Sequence, residues 1–181
     1  RVWGAKYVWI MPSVMRAPSD LEQFCKPLFK NNKKTVLTSL VPTQLKRLLD
    51  DPAGIRWLRS LALIWVGGAA LPNSLAIKAR NENIKLAPCY GATETAAMIS
   101  ALNPKDFLSG KNDCGHPLND VELSINNDGA LKVKSSRLVN YRIENKKLTH
   151  ILDNDGWWES GDYAQLLGDK LKPRLKIFGR R

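Results

Sequence analysis

Apolar runs alternating with stretches of helical periodicity set the frame of this chain. Residues 6–11 (Lys-Tyr-Val-Trp-Ile-Met) have the β-branched and aromatic density of a strand, and residues 35–41, 61–66 and 85–89 read as further strands. The third run, Leu61-Ala62-Leu63-Ile64-Trp65-Val66, is nearly all apolar, as expected of a parallel strand covered on both faces. Leu21, Phe24, Cys25 and Leu28 fall on one helical face behind Ser19-Asp20-Leu21-Glu22, a predicted capping box. Pro27 should kink or end that helix. A second helix carries Leu45, Leu48 and Leu49 on one side, with Pro42 in its first turn and Pro52 enforcing its end. A third runs through Arg80, with Asn73 or Ser74 as its cap. This alternation predicts a mostly parallel sheet with right-handed crossovers, in which ligands bind at the carboxyl ends of the strands.

The period changes around Asp113. Val121-Glu122-Leu123-Ser124-Ile125 alternates strictly, Asn126-Asn127-Asp128-Gly129 is turn chemistry, and residues 130–134 alternate back, which predicts a hairpin in an antiparallel sheet. Short extended pieces follow at residues 150–152 and 175–178. The expected class is therefore α/β: a partial layered α/β structure with a mostly parallel sheet, then a β-rich subdomain, divided near residues 108–116. Asp153-Asn154-Asp155-Gly156 imitates the start of a calcium loop but lacks the bidentate Glu at the required spacing, so a turn is expected. Trp157 and Trp158, adjacent in a strand, point to opposite faces, one to the core and one to its cover.

Composition narrows the picture. With 181 residues and 44% hydrophobic content, the chain can bury a real core. No apolar run approaches the roughly 20 residues of a membrane-spanning helix. The start, Arg1-Val2-Trp3-Gly4-Ala5, has no apolar h-region of a signal peptide and no Met, which leads us to expect a beginning inside a larger protein. Cys25, Cys89 and Cys114 share no close spacing and suggest neither a disulfide framework nor a zinc site; a reducing, cytoplasmic compartment fits. Cys25 reads as core packing. His116 and His150 show no metal spacing and read as structural. The formal charge of +11, from 28 Lys+Arg against 17 Asp+Glu, favours polyanions such as nucleic acid, acidic lipid, ATP or coenzyme A. The dense basic clusters, residues 30–34 and 170–176, lack the interleaved aromatics of a nucleic-acid platform, and 30–34 reads as solvated surface.

The candidate chemistry centres on Tyr90-Gly91-Ala92-Thr93-Glu94-Thr95, just after the fourth strand. A glycine-interrupted loop lets backbone amides approach a phosphate. Thr93 can donate a hydrogen bond to a phosphoryl oxygen, and Glu94 can hold a hard cation such as magnesium. A plain strand-to-helix turn capped by Thr93 explains the same residues, and the hexad alone leaves both open. Asp162 can accept from the vicinal hydroxyls of a ribose, although by itself it reads as an Asp in a turn after Gly161. Arg180 by itself is a surface arginine.

The hexad resembles the nucleotide-binding core of the adenylate-forming superfamily of acyl-CoA synthetases, luciferases and adenylation domains. Three other stretches match in the same order: Gly67-Gly68-Ala69-Ala70-Leu71-Pro72, Gly156-Trp157-Trp158-Glu159-Ser160-Gly161-Asp162 and Ile177-Phe178-Gly179-Arg180-Arg181. Four ordered matches across most of the chain are more specific than any one of them. Leu40-Val41-Pro42-Thr43-Gln44-Leu45 and Ile151-Leu152-Asp153-Asn154-Asp155-Gly156-Trp157 further resemble the subfamily that ligates o-succinylbenzoate to coenzyme A in menaquinone and phylloquinone biosynthesis, of cyanobacterial and plastid type.

The resemblance implies ATP-dependent activation of a carboxylate through an acyl-adenylate, then transfer to coenzyme A. It implies nucleotide contacts from Gly68, Ala69, Tyr90, Gly91, Ala92, Thr93, Asp162 and Arg180, with Thr93 and Glu94 catalytic and Glu94 on magnesium. Tyr90 would pack against the adenine, and Asp162 with Arg180 would fix the ribose. The acyl wall would come from Ser39, Thr43, Gly67 and Gly68. Residues 1–110 would be the α/β subdomain, 111–176 a β-rich, distorted barrel-like one, and 177–181 the start of a hinge to an absent C-terminal domain. No Ser/Thr/Gly-rich phosphate loop ending in Lys occurs in the chain, which by itself is expected to be catalytically incompetent. The remaining readings are another aryl- or fatty-acyl-CoA synthetase, or a basic non-enzymatic polyanion-binding module.

Overall fold

The structure, a computed structural model, describes residues 5–29 and 35–181. The basic cluster at residues 30–34 and the first four residues of the start lie outside them. Two sheets dominate. The first has the order β1 (Leu37–Leu40), β2 (Leu63–Val66), β3 (Leu86–Ala92), β4 (Ala97–Ala101) and β5 (His116–Pro117). β1, β2 and β3 are parallel, as the alternation predicts; β3–β4 and β4–β5 are antiparallel. The switch has a simple cause. A parallel return needs a crossover of a dozen or more residues, whereas β3 and β4 are joined by one 3₁₀ turn, Thr93–Thr95, and Ala96.

The helices are α1 (Pro12–Arg16), α2 (Pro18–Phe29), α3 (Pro42–Leu49), α4 (Pro52–Ser60), α5 (Asn73–Asn81) and α6 (Pro104–Leu108). Leu21, Leu45, Leu48, Leu49, Trp57 and Leu58 from α2, α3 and α4 join Ile64 and Leu86 of the sheet in one buried cluster. Cys25 is buried there as expected. α3 starts at Pro42, with the Gln44 side chain accepting from the Val41 N–H at 3.0 Å.

Several local expectations fail, each for a local reason. Residues 6–11 form no strand: Tyr7 and Trp9 are 78% and 83% exposed and pair with no neighbouring strand among the described residues. Ser19 does not cap α2, because the helix already begins at Pro18, whose fixed φ suits a first turn. Glu22 instead forms a bidentate pair with Arg56 of α4, both bonds 2.7 Å. Pro27 sits inside α2, which continues to Phe29, and Phe24 of the predicted apolar face is half exposed. Pro52 does follow the end of α3, but it also opens α4. Neither Asn73 nor Ser74 caps α5; Pro72 holds the cap position without a side-chain bond, and Asn73 accepts from Asn112 at 3.2 Å.

The second sheet has the order β11 (Arg174–Arg180), β10 (Trp158–Leu167), β7 (Ala130–Ser135) and β6 (Val121–Ile125), all antiparallel. The predicted hairpin is β6–β7, closed by Asn126, whose Oδ1 accepts from Asp128 and Ala130. A separate two-stranded hairpin, β8 (Tyr141–Glu144) and β9 (Lys147–His150), precedes a turn in which Asp153 Oδ1 accepts from Asp155 and Trp157. β9 thus ends where a strand over 150–152 was expected; Leu152 makes only an isolated bridge to Trp158. Trp158 is buried with Val133, Leu131 and Leu175, while Trp157 lies under the ammonium groups of Lys132 and Lys134, as the two-face argument requires.

Candidate functional site

The two sheets meet at the carboxyl ends of β2 and β3. Gly67 continues β2, its N–H donating to Leu40 at 3.2 Å, and Gly68 turns the chain away with φ +79°. Any side chain at Gly67 would meet the Cys89 sulfur at 2.9 Å, so the thiol occupies the space that the glycine vacates. β3 then runs straight into the hexad. Gly91 has a different purpose from the one its loop chemistry suggests: a Cβ there would lie 2.3 Å from the Ala97 carbonyl oxygen and 2.7 Å from Met98 Cα. The glycine lets β4 fold back against β3 at a register shift between Tyr90 and Gly91.

The turn itself is held by Thr95, fully buried, rather than by Thr93. Its hydroxyl accepts from the Ala92 N–H at 2.9 Å and lies within reach of the Ala92 and Ala97 carbonyls, one of which takes its proton. Thr93 is exposed, with no side-chain hydrogen bond among the described residues, and Glu94 is half-buried. The Glu94 backbone carbonyl accepts from Val139 at 3.0 Å, tying the turn to the stretch that leads into β8. Among the described residues its carboxylate meets no cation, and no three His, Cys, Asp or Glu side chains gather as a metal cage. One free carboxylate suits a divalent ion that keeps oxygens of water and phosphate for its remaining positions.

Around this turn lies an open cleft of about 560 Å³, lined by Gly67, Gly68, Tyr90, Gly91, Ala92, Thr93 and Met98 among others. Beside it, sharing Cys89, is a smaller slot of about 240 Å³ with mixed walls: Val66, Ala69, Leu71, Pro88 and Ile177 on the apolar side, Asn73, Asn112 and Asp113 on the polar side. Burial pushes the thiol of Cys114, also in this slot, up to about 12, with the neighbouring Cys89 and Asp113 adding to the effect. It stays a protonated, non-nucleophilic wall at neutral pH.

Asp162 reaches the same place from the far end of the chain. It is 8% exposed and sits directly opposite Arg180 across β10–β11, with Oδ1 3.3 Å from Arg180 Nε. Its Oδ2 accepts from the Tyr90 hydroxyl at 2.5 Å, and its backbone N–H donates to Ser160 Oγ at 3.2 Å. Burial, reinforced by the adjacent Asp162, pushes the Tyr90 phenol well above the usual tyrosine range, so it stays a donor. Gly161 leaves room for the guanidinium: a Cβ there would lie 3.0 Å from Arg180 Nη1.

The structure thus brings Gly67, Gly68, Tyr90, Gly91, Ala92 and Thr93 onto one cleft, with Glu94 in the turn at its edge, Asp162 and Arg180 joined to it through Tyr90, and Ala69 in the adjoining slot. Ser39 and Thr43 are exposed and line neither cavity; Val41, between them, is the residue that approaches Gly68. Sequence reasoning missed Thr95 and Ser160. The available signal for Ser160 was its place two residues before Asp162, the spacing of a serine turn.

A parallel sheet ending in a glycine turn, a hydroxyl-and-carboxylate loop and a buried Asp beside an Arg thus meet at one cleft. The chain belongs to the family of AMP-binding enzymes, which matches residues 2–136. Within that family, several relatives bear the name 2-succinylbenzoate–CoA ligase. The 2-succinylbenzoate–CoA ligase of Listeria monocytogenes is 30% identical over 159 residues, covering 88% of this chain and 33% of that protein. Among solved structures, E. coli MenE with a bound analogue of OSB-AMS is 30% identical with a TM-score of 0.65, covering 88% of this chain and 32% of that one. Bacillus subtilis MenE in complex with the acyl-adenylate intermediate OSB-AMP is 25% identical with a TM-score of 0.71, covering 91% and 34%. The chain spans about a third of the length of the relatives it matches.

Proposed function

We propose that this chain is the adenylate-binding portion of an ATP-dependent o-succinylbenzoate–CoA ligase, acting in the protein at its relatives' full length. The observation that carries the reading is the meeting of Tyr90, Asp162 and Arg180 beside the cleft that holds Gly67, Gly68 and Thr93. The smaller slot would accept the adenine, with Ala69 and Ile177 among its apolar walls, Asn112 among its polar ones, and Tyr90 in the adjoining cleft to pack against the base. Asp162 and Arg180 take the ribose. The free hydroxyl of Thr93 donates to the α-phosphate, holding it for attack by the substrate carboxylate, which yields acyl-adenylate and pyrophosphate. Coenzyme A thiol then displaces AMP. Glu94 would hold magnesium, which when bound supplies charge neutralisation at the phosphates. Gly67 and Gly68 leave room for the aromatic ring of the acyl group, and Ser39 or Thr43 would have to turn toward its second carboxylate.

Three free cysteines fit a reducing, cytoplasmic compartment, and no helix among the described residues is long and apolar enough to cross a membrane. The test is calorimetric titration of the chain with AMP. Asp162→Ala should weaken binding about 10- to 100-fold, the range expected for losing hydrogen bonds to a buried carboxylate. Unchanged affinity rejects the role of Asp162. ATP–pyrophosphate exchange in the full-length protein should depend on o-succinylbenzoate over benzoate or a fatty acid. Titration with single-stranded DNA over a range of salt is the contrast: preference for DNA with a steep salt slope and no affinity for AMP would favour a polyanion-binding module.

A further inference from the structure

Asp162 is more tightly held than ribose binding alone requires. One carboxylate oxygen is fixed by the Tyr90 hydroxyl at 2.5 Å and the other faces Arg180 at 3.3 Å. The two anchors are unequal. The Arg180 side chain is 80% exposed and free to exchange its contact for water, whereas the Tyr90 ring is half-buried and packs against the cluster built on Ile99, Leu131 and Val133. Tyr90 is fixed in turn by the β3–β4 ladder, where it lies opposite Ser100. A carboxylate has about four lone-pair positions. With one oxygen bonded to the phenol and the other near the guanidinium, each keeps a position free, and the carboxyl plane cannot turn without breaking the buried bond.

Resting on the functional reading above, we propose that Tyr90 is a positioning residue. Its hydroxyl holds the Asp162 carboxylate in the one plane that offers an acceptor to each of two vicinal hydroxyls, and so gives the site its selectivity for a ribonucleotide over a deoxyribonucleotide. The role is separate from any packing of the ring on adenine, because it belongs to the phenolic oxygen alone. Preorganising an acceptor pair is what turns two ordinary hydrogen bonds into discrimination, since a deoxy ligand leaves one buried acceptor unpaired.

The test compares AMP, 2′-deoxy-AMP and 3′-deoxy-AMP by calorimetry on the wild-type chain and on Tyr90→Phe, which keeps the ring and its packing. The wild type should prefer AMP over each deoxy form by about 10-fold or more, the value of a hydrogen bond to a charged group. In Tyr90→Phe that ratio should fall to about 3-fold or less, with the affinity for the deoxy forms little changed. A purely structural contribution would instead weaken all three ligands in proportion, and an unchanged ratio overturns the proposal. A double-mutant cycle with Asp162→Asn gives a second readout: the two substitutions should be strongly non-additive for AMP, and additivity also overturns it. Failure of the wild type to bind any of the three ligands overturns the functional reading itself, and this inference with it.

Discussion

Gly91 shows how a residue in a binding motif can be required for packing before any ligand arrives. Its Cβ-less backbone is what allows the Ala97 and Met98 backbone to lie against it, at distances no side chain tolerates. Gly91→Ala should therefore cost about 2–3 kcal/mol in urea denaturation, the upper part of the usual overpacking range, because the obstructing atoms are backbone and cannot swing aside. A midpoint within error of wild type would show that β4 can relax away. Thr95 is similar: a buried hydroxyl keeps the turn closed, while its neighbour Thr93 is exposed. The residue types in the hexad were readable as nucleotide chemistry. Which threonine builds the turn and which is left at the surface was not, because that depends on the direction in which β4 returns. The bond between Tyr90 and Asp162 joins positions 72 apart, and no local spacing reports it.

Elements with an unbroken apolar face were the legible ones. Leu45, Leu48 and Leu49 announce α3, and the apolar run at residues 61–66 announces β2. α4 was hidden by Pro52, read as the stop of one helix when it is also the first residue of the next. The signal for it was Asp51, whose Oδ1 accepts from the Ala53 and Gly54 N–H groups at 2.8 and 3.2 Å and caps the new helix. α4 carries Trp57 and Leu58 into the main core, so fraying its first turn is felt by the sheet. Asp51→Ala should lower stability by about 1 kcal/mol, read as a shift in the urea midpoint at constant slope, while Asp51→Asn or Asp51→Ser should recover most of it. The opposite error occurred at residues 6–11, where strand-forming residue types lie along an exposed stretch. Propensity names what fits a pleated surface, and a strand still needs a neighbour to pair with.

At the scale of the whole molecule, the cleft lies where the two sheets meet: Ile99 of β4 is buried in the second sheet's apolar cluster, and polar ties reinforce that contact. One is the Tyr90–Asp162 bond. Another is the exchange of backbone bonds between β11 and the strand entering β5, with Cys114 N–H donating to Leu175 at 2.7 Å and Leu175 N–H donating to Gly115 at 2.8 Å. Asp113 locks that exchange: its Oδ1 accepts from the Gly115 N–H at 2.9 Å and its Oδ2 lies 3.1 Å from Arg174 Nη1, with the carboxylate side chain 4% exposed. The four sequence stretches that pointed to a nucleotide are brought together by these ties, none of which lies within the four stretches themselves except the tyrosine and its carboxylate. That is why the residues could be singled out along the chain while the way they come together could not. Asp113→Ala removes a turn bond and strands a guanidinium that is 23% exposed. The cost should be about 3 kcal/mol, the low end for breaking a buried pair, because Arg174 Nη1 meets the carboxylate as an ion pair without a hydrogen bond. If the seam sets the cleft, AMP affinity should fall as well, by more than the loss of the Asp113 side chain from the lining of the slot explains. Loss of stability with AMP binding intact, measured on the folded fraction, would mean that each sheet keeps its half of the site without the lock.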